Sequence, residues 1–127
     1  MQAVTGGAGR PLRILIVDDH EVSRAALCAL LRTEGYEVAE VGRDFDPVAA
    51  AIEFRPVAVV VDVAPGEAAG FDLARQFGAL TDPGIVVLTS SADRREFGSR
   101  LAGQVFIAKA DLCGAAILDG LAGRLSP

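Results

Sequence analysis

Two hydrophobic rhythms alternate along the chain. "LRILIV" (Leu12–Val17) is a short β-branched run of the kind that a strand covered on both faces requires. From Glu21 to Glu34, apolar residues recur at Val22, Ala26, Leu27, Leu30 and Leu31, which is helical spacing, and Gly35 stands where a helix C-cap belongs. "YEVAEV", ending at Val41, predicts a second strand, less apolar and so at an edge. "FDPVAAAIEF" predicts a short helix with Pro47 in its first turn. "VAVVVD" and "IVVLT" predict the third and fourth strands, with the helix "FDLARQFGAL" and a "DPG" turn between them. The Arg-rich segment from Ala92 to Leu101 predicts an exposed helix, "VFIAK" a fifth strand, and "DLCGAAILDGLAGRL" a closing helix with Ile117, Leu118, Leu121 and Leu125 inward.

Strand-then-helix alternation predicts an α/β fold: a parallel sheet with helices on both faces and right-handed crossovers. Residues 1–10 are Gly-rich and predict a flexible arm, leaving 11–127 as one domain. At 127 residues the chain can bury a core without staples. Apolar residues make up 51% of it, yet no run approaches the roughly 18 residues of a membrane span. The first ten residues lack a secretory pattern, and Cys28 and Cys113 are too few for a disulfide framework, so a reducing cytoplasm is expected. A net charge of −5 argues against nucleic acid as the main partner.

In open parallel sheets, ligands bind outside the carboxyl ends of the strands. Four of the five predicted strands end on polar residues: Asp18-Asp19, Asp62, Thr89 and Lys109. Lys109 is the only lysine beside eleven arginines, and a compact ammonium suits a single oxyanion better than a guanidinium fork does. If the first and third strands are neighbours, three carboxylates crowd together and either raise one another's pKa values or demand a cation. Oxygen ligands favour Mg²⁺ or a similar hard ion such as Mn²⁺, which readily takes phosphate oxygens as further ligands. Such a site suits phosphoryl chemistry. His20 reads as a residue at the start of the first helix, with proton donor or metal ligand as the alternative.

These residues resemble the receiver domain of bacterial two-component response regulators. "ILIVDDHEVSRAALCALL" is similar to the acidic pair and first helix, "VVVDVAPGEAAGFDLAR" to the phosphoacceptor strand and loop, and "IVVLTSS" and "VFIAKADL" to the last two strands. The separations Asp19–Asp62 (62 − 19 = 43), Asp62–Thr89 (89 − 62 = 27) and Thr89–Lys109 (109 − 89 = 20) also fit, the last being slightly short. The resemblance implies a flavodoxin-like (βα)5 fold with strand order 2-1-3-4-5. It implies a phosphorelay signalling domain, not an enzyme beyond its own phosphotransfer and dephosphorylation. Asp62 would accept a phosphoryl group from a sensor histidine kinase or phosphotransfer protein. Asp19, Asp62 and the Ala64 carbonyl would hold Mg²⁺, with Asp18 acting through water. Lys109 and Thr89 would contact the phosphoryl oxygens, and small Ser90 would leave access open. Phe106 would move with Thr89, changing the surface of helix four, strand five and helix five for a downstream protein target. Ending at Pro127, the chain reads as a stand-alone, bacterial receiver, a monomer or weak dimer without direct nucleic-acid or membrane contact.

Two departures from that pattern are visible. Pro65 arrives one residue before the family's usual proline, and it constrains Ala64, the expected carbonyl ligand. Ala110 stands where many relatives have a cis proline, so a trans Lys109–Ala110 bond is expected. Two other readings stay open: a receiver-like scaffold that is never phosphorylated, and an aspartate-nucleophile phosphohydrolase, although no second acid follows Asp62 in the DxD manner. "TGGAGR" precedes the first strand, the wrong place for a phosphate-cradling loop.

Overall fold

Among the described residues every strand lies parallel to its neighbours, in the order β2-β1-β3-β4-β5. The strands are β1 (Arg13–Val17), β2 (Glu37–Val41), β3 (Ala58–Asp62), β4 (Ile85–Ser90) and β5 (Val105–Ala108). Between them run α1 (Glu21–Thr33), α2 (Pro47–Phe54) and α3 (Ala69–Gly78), and α4 (Gly114–Leu125) closes the fold. This computed structural model describes residues 10–42, 45–80 and 84–125. The arm expected over residues 1–10 therefore lies, apart from Arg10, outside the described residues, as does most of the "DPG" turn.

Strand side chains alternate between the two faces, and the core divides accordingly. Ile14, Ile16, Ala58, Val60, Ile85 and Val87 meet Cys28 and Leu31 of α1 and Ile117 of α4 on one face. Leu15, Val17, Val59, Val61 and Leu88 meet Ala51 of α2 and Leu73, Ala74 and Phe77 of α3 on the other. β3 is central and buried along its whole length, which is why its sequence is a continuous apolar run. β2 is one of the two edge strands, and its polar residues Glu37 and Glu40 accord with that place.

Local chemistry explains the end of α1 and the start of α2. Gly35 adopts φ 99° after α1; its N–H bonds the Arg32 carbonyl while that of Tyr36 bonds Leu31, the paired bonds of a Schellman cap. Asp46 caps α2 by accepting the Ala49 N–H at 3.0 Å, with Pro47 at the first helical position.

Two expectations need correction. Val22 and Leu30, placed on the apolar face of the first helix, are exposed; Leu31 is buried and Leu27 packs on the core as expected, and Cys28 joins them there. The segment expected to be an exposed helix over Ala92–Leu101 is a 3-10 stretch from Arg94 to Leu101, broken at Gly98 (φ 58°, ψ −132°). Its Phe97 and Leu101 are buried, so it contributes two anchors to the core despite its arginines.

Candidate functional site

Because the strands are parallel and in register, the polar residues that end them come to one edge. β3 and β4 pair Asp62 with Thr89, so both side chains lie on the same face of the sheet. β1 hydrogen-bonds β3 on the other side and releases the chain at Asp18. β5 pairs with β4 and delivers Lys109 one residue beyond its end, in a short 3-10 turn. The expected set therefore converges in part. Lys109 Nζ lies 3.1 Å from Asp62 Oδ1 and 3.2 Å from Asp18 Oδ2.

Asp18 and Asp62 are only 3% and 5% exposed, which places two carboxylates in a poorly hydrated pocket beside one ammonium. Burial pushes the Asp18 carboxyl up, but the His20 backbone N–H and Lys109 outweigh it and hold the group below its ordinary range. The His20 N–H donates to Asp18 Oδ1 at 2.8 Å, and Ser23 Oγ donates to Oδ2 at 3.2 Å. Arg24 fixes the turn by donating to the Asp18 carbonyl at 2.6 Å.

His20 is a further member of the site. It is the N-cap residue of α1, as expected, but its imidazole Nδ1 also lies 3.1 Å from Asp18 Oδ1 and 3.3 Å from Asp62 Oδ2. Among the described residues, Asp18, His20 and Asp62 are the group whose donor atoms all fall within 4.8 Å of one another. Asp19 is exposed and lies outside that trio. Sequence spacing marks His20 only as an adjacent residue; its reach across to Asp62 depends on the extended backbone of the cap.

Thr89 is 2% exposed and its Oγ1 makes no hydrogen bond, a buried hydroxyl on the face of the sheet that carries Asp62. An unsatisfied buried hydroxyl costs roughly 1–3 kcal/mol, so a polar partner at this place would be favoured. Two buried carboxylates with an unfilled hydroxyl beside them suit a divalent cation together with an oxyanion. Ser90 is buried, and its Oγ accepts the Ala92 N–H at 3.0 Å, turning the chain away from the site.

The loop after Asp62 shows what the early proline does. The Glu67 N–H bonds the Ala64 carbonyl at 3.3 Å across Pro65 and Gly66, and Gly66 has φ 79°. Proline at the second and a left-handed glycine at the third position are the marks of a type II turn. The Ala64 carbonyl thus serves the turn with one lone pair and keeps a second. Gly70 then brings α3 against β3: a Cβ there would stand 2.8 Å from the Asp62 carbonyl oxygen and 2.8 Å from Val63 Cγ1. All described peptide bonds are trans, Lys109–Ala110 included.

Phe106 is half-buried on β5 and belongs to an aromatic row. Its ring centroid lies 5.8 Å from that of Phe97, which in turn lies 6.0 Å from Phe71 on α3. Arg94 covers Phe106 at 5.6 Å and Arg100 covers Phe71 at 4.1 Å, the latter also donating to the Glu67 carbonyl. The row therefore links β5 to the loop beyond Asp62.

Comparison with known proteins agrees with this geometry. The response regulator receiver domain family matches residues 14–110. The chain is 38% identical over 87 residues to protein-glutamate methylesterase/protein-glutamine glutaminase 2 of Anaeromyxobacter dehalogenans, a match covering 67% of this chain and 26% of that protein. It is 36% identical over 88 residues to the transcriptional regulatory protein PdtaR of Mycobacterium tuberculosis, covering 68% and 43%. The chain thus spans less than half the length of these curated relatives. A response regulator receiver domain from Methylobacillus flagellatus has the same fold (TM-score 0.70, 21% identity, 88% of this chain and 97% of that one). No helix among the described residues is long and apolar enough to cross a membrane. The sheet order, the acidic pocket with its lysine, and the family match over residues 14–110 lead to one assignment: this chain belongs to the response regulator receiver domain family.

Proposed function

We propose that Asp62 is a phosphoacceptor, and that the chain receives its phosphoryl group from a phosphohistidine on a sensor kinase or phosphotransfer protein. The observation that carries this reading is the buried Asp62 carboxylate at the carboxyl end of the central strand, 3.1 Å from the sole lysine. In the step proposed, an Asp62 oxygen forms a bond to phosphorus as the bond from phosphorus to the donor imidazole nitrogen breaks, leaving an acyl phosphate and a neutral histidine. Lys109 moves from the bare carboxylate to a phosphoryl oxygen, and the Thr89 hydroxyl, otherwise without a partner, donates to another. Ser90 leaves the approach to Asp62 free of bulk. Asp19, Asp62 and the Ala64 carbonyl would hold Mg²⁺ or Mn²⁺, with Asp18 behind a bound water. Such an ion, when bound, neutralises charge on the phosphoryl oxygens.

Movement of Thr89 toward the phosphoryl group frees space behind it for Phe106, and the row Phe106–Phe97–Phe71 carries the change to the 3-10 segment. The output is a population shift in the face formed by that segment, β5 and α4, read by a downstream protein target in the cytoplasm. The type II turn at Pro65-Gly66 removes the main feature that favoured a receiver-like scaffold without phosphorylation, since it keeps a lone pair of the Ala64 carbonyl available.

The test is intact-mass measurement after incubation with Mg²⁺ and a small phosphodonor. The wild-type chain gains the mass of one phosphoryl group and Asp62→Asn gains none. An unmodified wild type that still binds its partners supports the scaffold. Steady turnover of diverse phosphate esters supports a phosphohydrolase.

A further inference from the structure

We propose that the cavity at the amino edge of the sheet, on the side covered by α2, is a second binding site, one that takes a nucleoside phosphate. It lies at the opposite end of the strands from Asp62 and does not rest on phosphoryl transfer there.

The cavity has a volume of about 590 Å³, within the roughly 300–1,000 Å³ of small-molecule sites. Its charged lining is Arg10, Arg13 and Arg55 with Glu37 and Glu53, and the half-buried Phe54 supplies an apolar wall. Strand alternation explains how charge enters here. Arg13 opens β1 and shares a face with Leu15 and Val17, the face that packs on α2. Apolar residues fill that face further along; at its amino end the chain has a guanidinium and leaves a space.

The pairing of the arginines is the first support. Arg24, Arg32, Arg75 and Arg95 each meet a carboxylate, and Arg94 and Arg100 each cover a phenylalanine ring. Arg10, Arg13 and Arg55 form no ion pair with a described carboxylate, although two glutamates line the same cavity. Arg13 and Glu37 are register partners on neighbouring strands, so their side chains leave one face side by side, yet they too stay unpaired.

Arg13 gives the independent sign. Its Nη2 donates to the Arg55 carbonyl at 3.3 Å, and its guanidinium lies 5.8 Å from the Phe54 ring centre, which fixes it at the end of α2. Its Nε is buried and has no partner. A buried charged donor favours any acceptor brought to it. Arg55, whose carbonyl Arg13 bonds, ends α2 at φ 55° and brings a second guanidinium to the same cavity.

The lining then selects the ligand. Guanidinium forks match phosphate oxygens bidentately. A bare dianion suits the place poorly, since Glu37 and Glu53 would repel it. A ligand that presents phosphate to the arginines and hydroxyl or amino donors to the glutamates satisfies both, with its ring against Phe54. A nucleoside phosphate has that set of groups.

The experiment titrates the full chain by calorimetry with ADP, GDP, adenosine and inorganic phosphate, in Mg²⁺-free buffer without phosphodonor. The wild type should bind ADP or GDP at one site, at least about tenfold more tightly than inorganic phosphate or adenosine. Arg13→Gln and Arg55→Gly should each lose about tenfold or more of that affinity. Glycine suits the left-handed end of α2, so Arg55→Gly removes the guanidinium and keeps the fold. Asp62→Asn should bind as the wild type does. Absence of saturable binding at about 1 mM nucleotide, binding indifferent to both arginine substitutions, or equal affinity for inorganic phosphate each overturns the inference. A chain that binds ADP as expected yet takes no phosphoryl group on Asp62 overturns the phosphoacceptor reading alone.

Discussion

Replacing Lys109 by methionine removes the one ammonium that two buried carboxylates share. Its Nζ lies 3.1 Å from Asp62 and 3.2 Å from Asp18, and its side chain is four-fifths buried. At an effective dielectric of about 20, each contact is worth about 5 kcal/mol of direct attraction. Much of that repays the desolvation of the lysine, which methionine never incurs. What remains is the cost of two buried acids left with His20 and, for Asp18, the Ser23 hydroxyl, about 3 kcal/mol by analogy with broken buried ion pairs. With a urea slope of about 1.5 kcal/mol/M, the midpoint should fall by about 2 M at pH 7 in chelator-treated buffer. The cause assigned here is uncompensated charge, so adding Asp62→Asn to Lys109→Met should recover more than half the loss. Equilibrium urea unfolding of the four proteins in the cycle measures this. A midpoint shift below about 0.5 M, or a double variant no more stable than Lys109→Met, refutes the reasoning.

Other perturbations test other links. Gly70→Ala should destabilise by about 1–3 kcal/mol despite alanine's better helix propensity, because its Cβ would meet the Asp62 carbonyl at 2.8 Å; urea unfolding measures this. Phe97→Ala, at the buried centre of the aromatic row, should cost about 3–5 kcal/mol in the same assay. Arg55 ends α2 in the left-handed region (φ 55°), so Arg55→Gly should raise the melting midpoint by relieving about 1 kcal/mol of strain. Burial pushes the Cys28 thiol up to about 12, so the folded state keeps a proton that the unfolded chain releases near its ordinary value of 9.0. Stability from this source is complete below that value and is lost as pH rises from 9.0 toward about 12; Cys28→Ala should flatten that alkaline limb of a melting-temperature profile.

The fold was largely legible because strand and helix rhythms alternate, and because a buried central strand must read as an unbroken apolar run like that ending at Asp62. The convergence of Asp18, Asp62, Thr89 and Lys109 was legible for a topological reason: parallel strands end at one edge. Spacing could not fix the phase of α1. Leu27, Leu30 and Leu31 allow more than one inward face, and the contacts with β1 select Cys28 and Leu31. Nor did the arginines of the 3-10 segment reveal that Phe97 anchors it, since the break at Gly98 interrupts the helical period. The turn that absorbs Pro65 rests on the left-handed Gly66, a local signal that the shifted proline obscured. The contact of His20 with Asp62 joins residues 42 positions apart in sequence (62 − 20 = 42) and has no periodic signature.

The most direct test of the central claim is to locate the phosphoryl group. Acyl phosphate formed from a small phosphodonor and Mg²⁺ is reduced with borohydride, and the modified residue is mapped by peptide mass spectrometry. The account predicts reduction at Asp62 alone, abolished in Asp62→Asn; a modified residue elsewhere, or an Asp62 peptide unchanged under conditions that phosphorylate the chain, would contradict it.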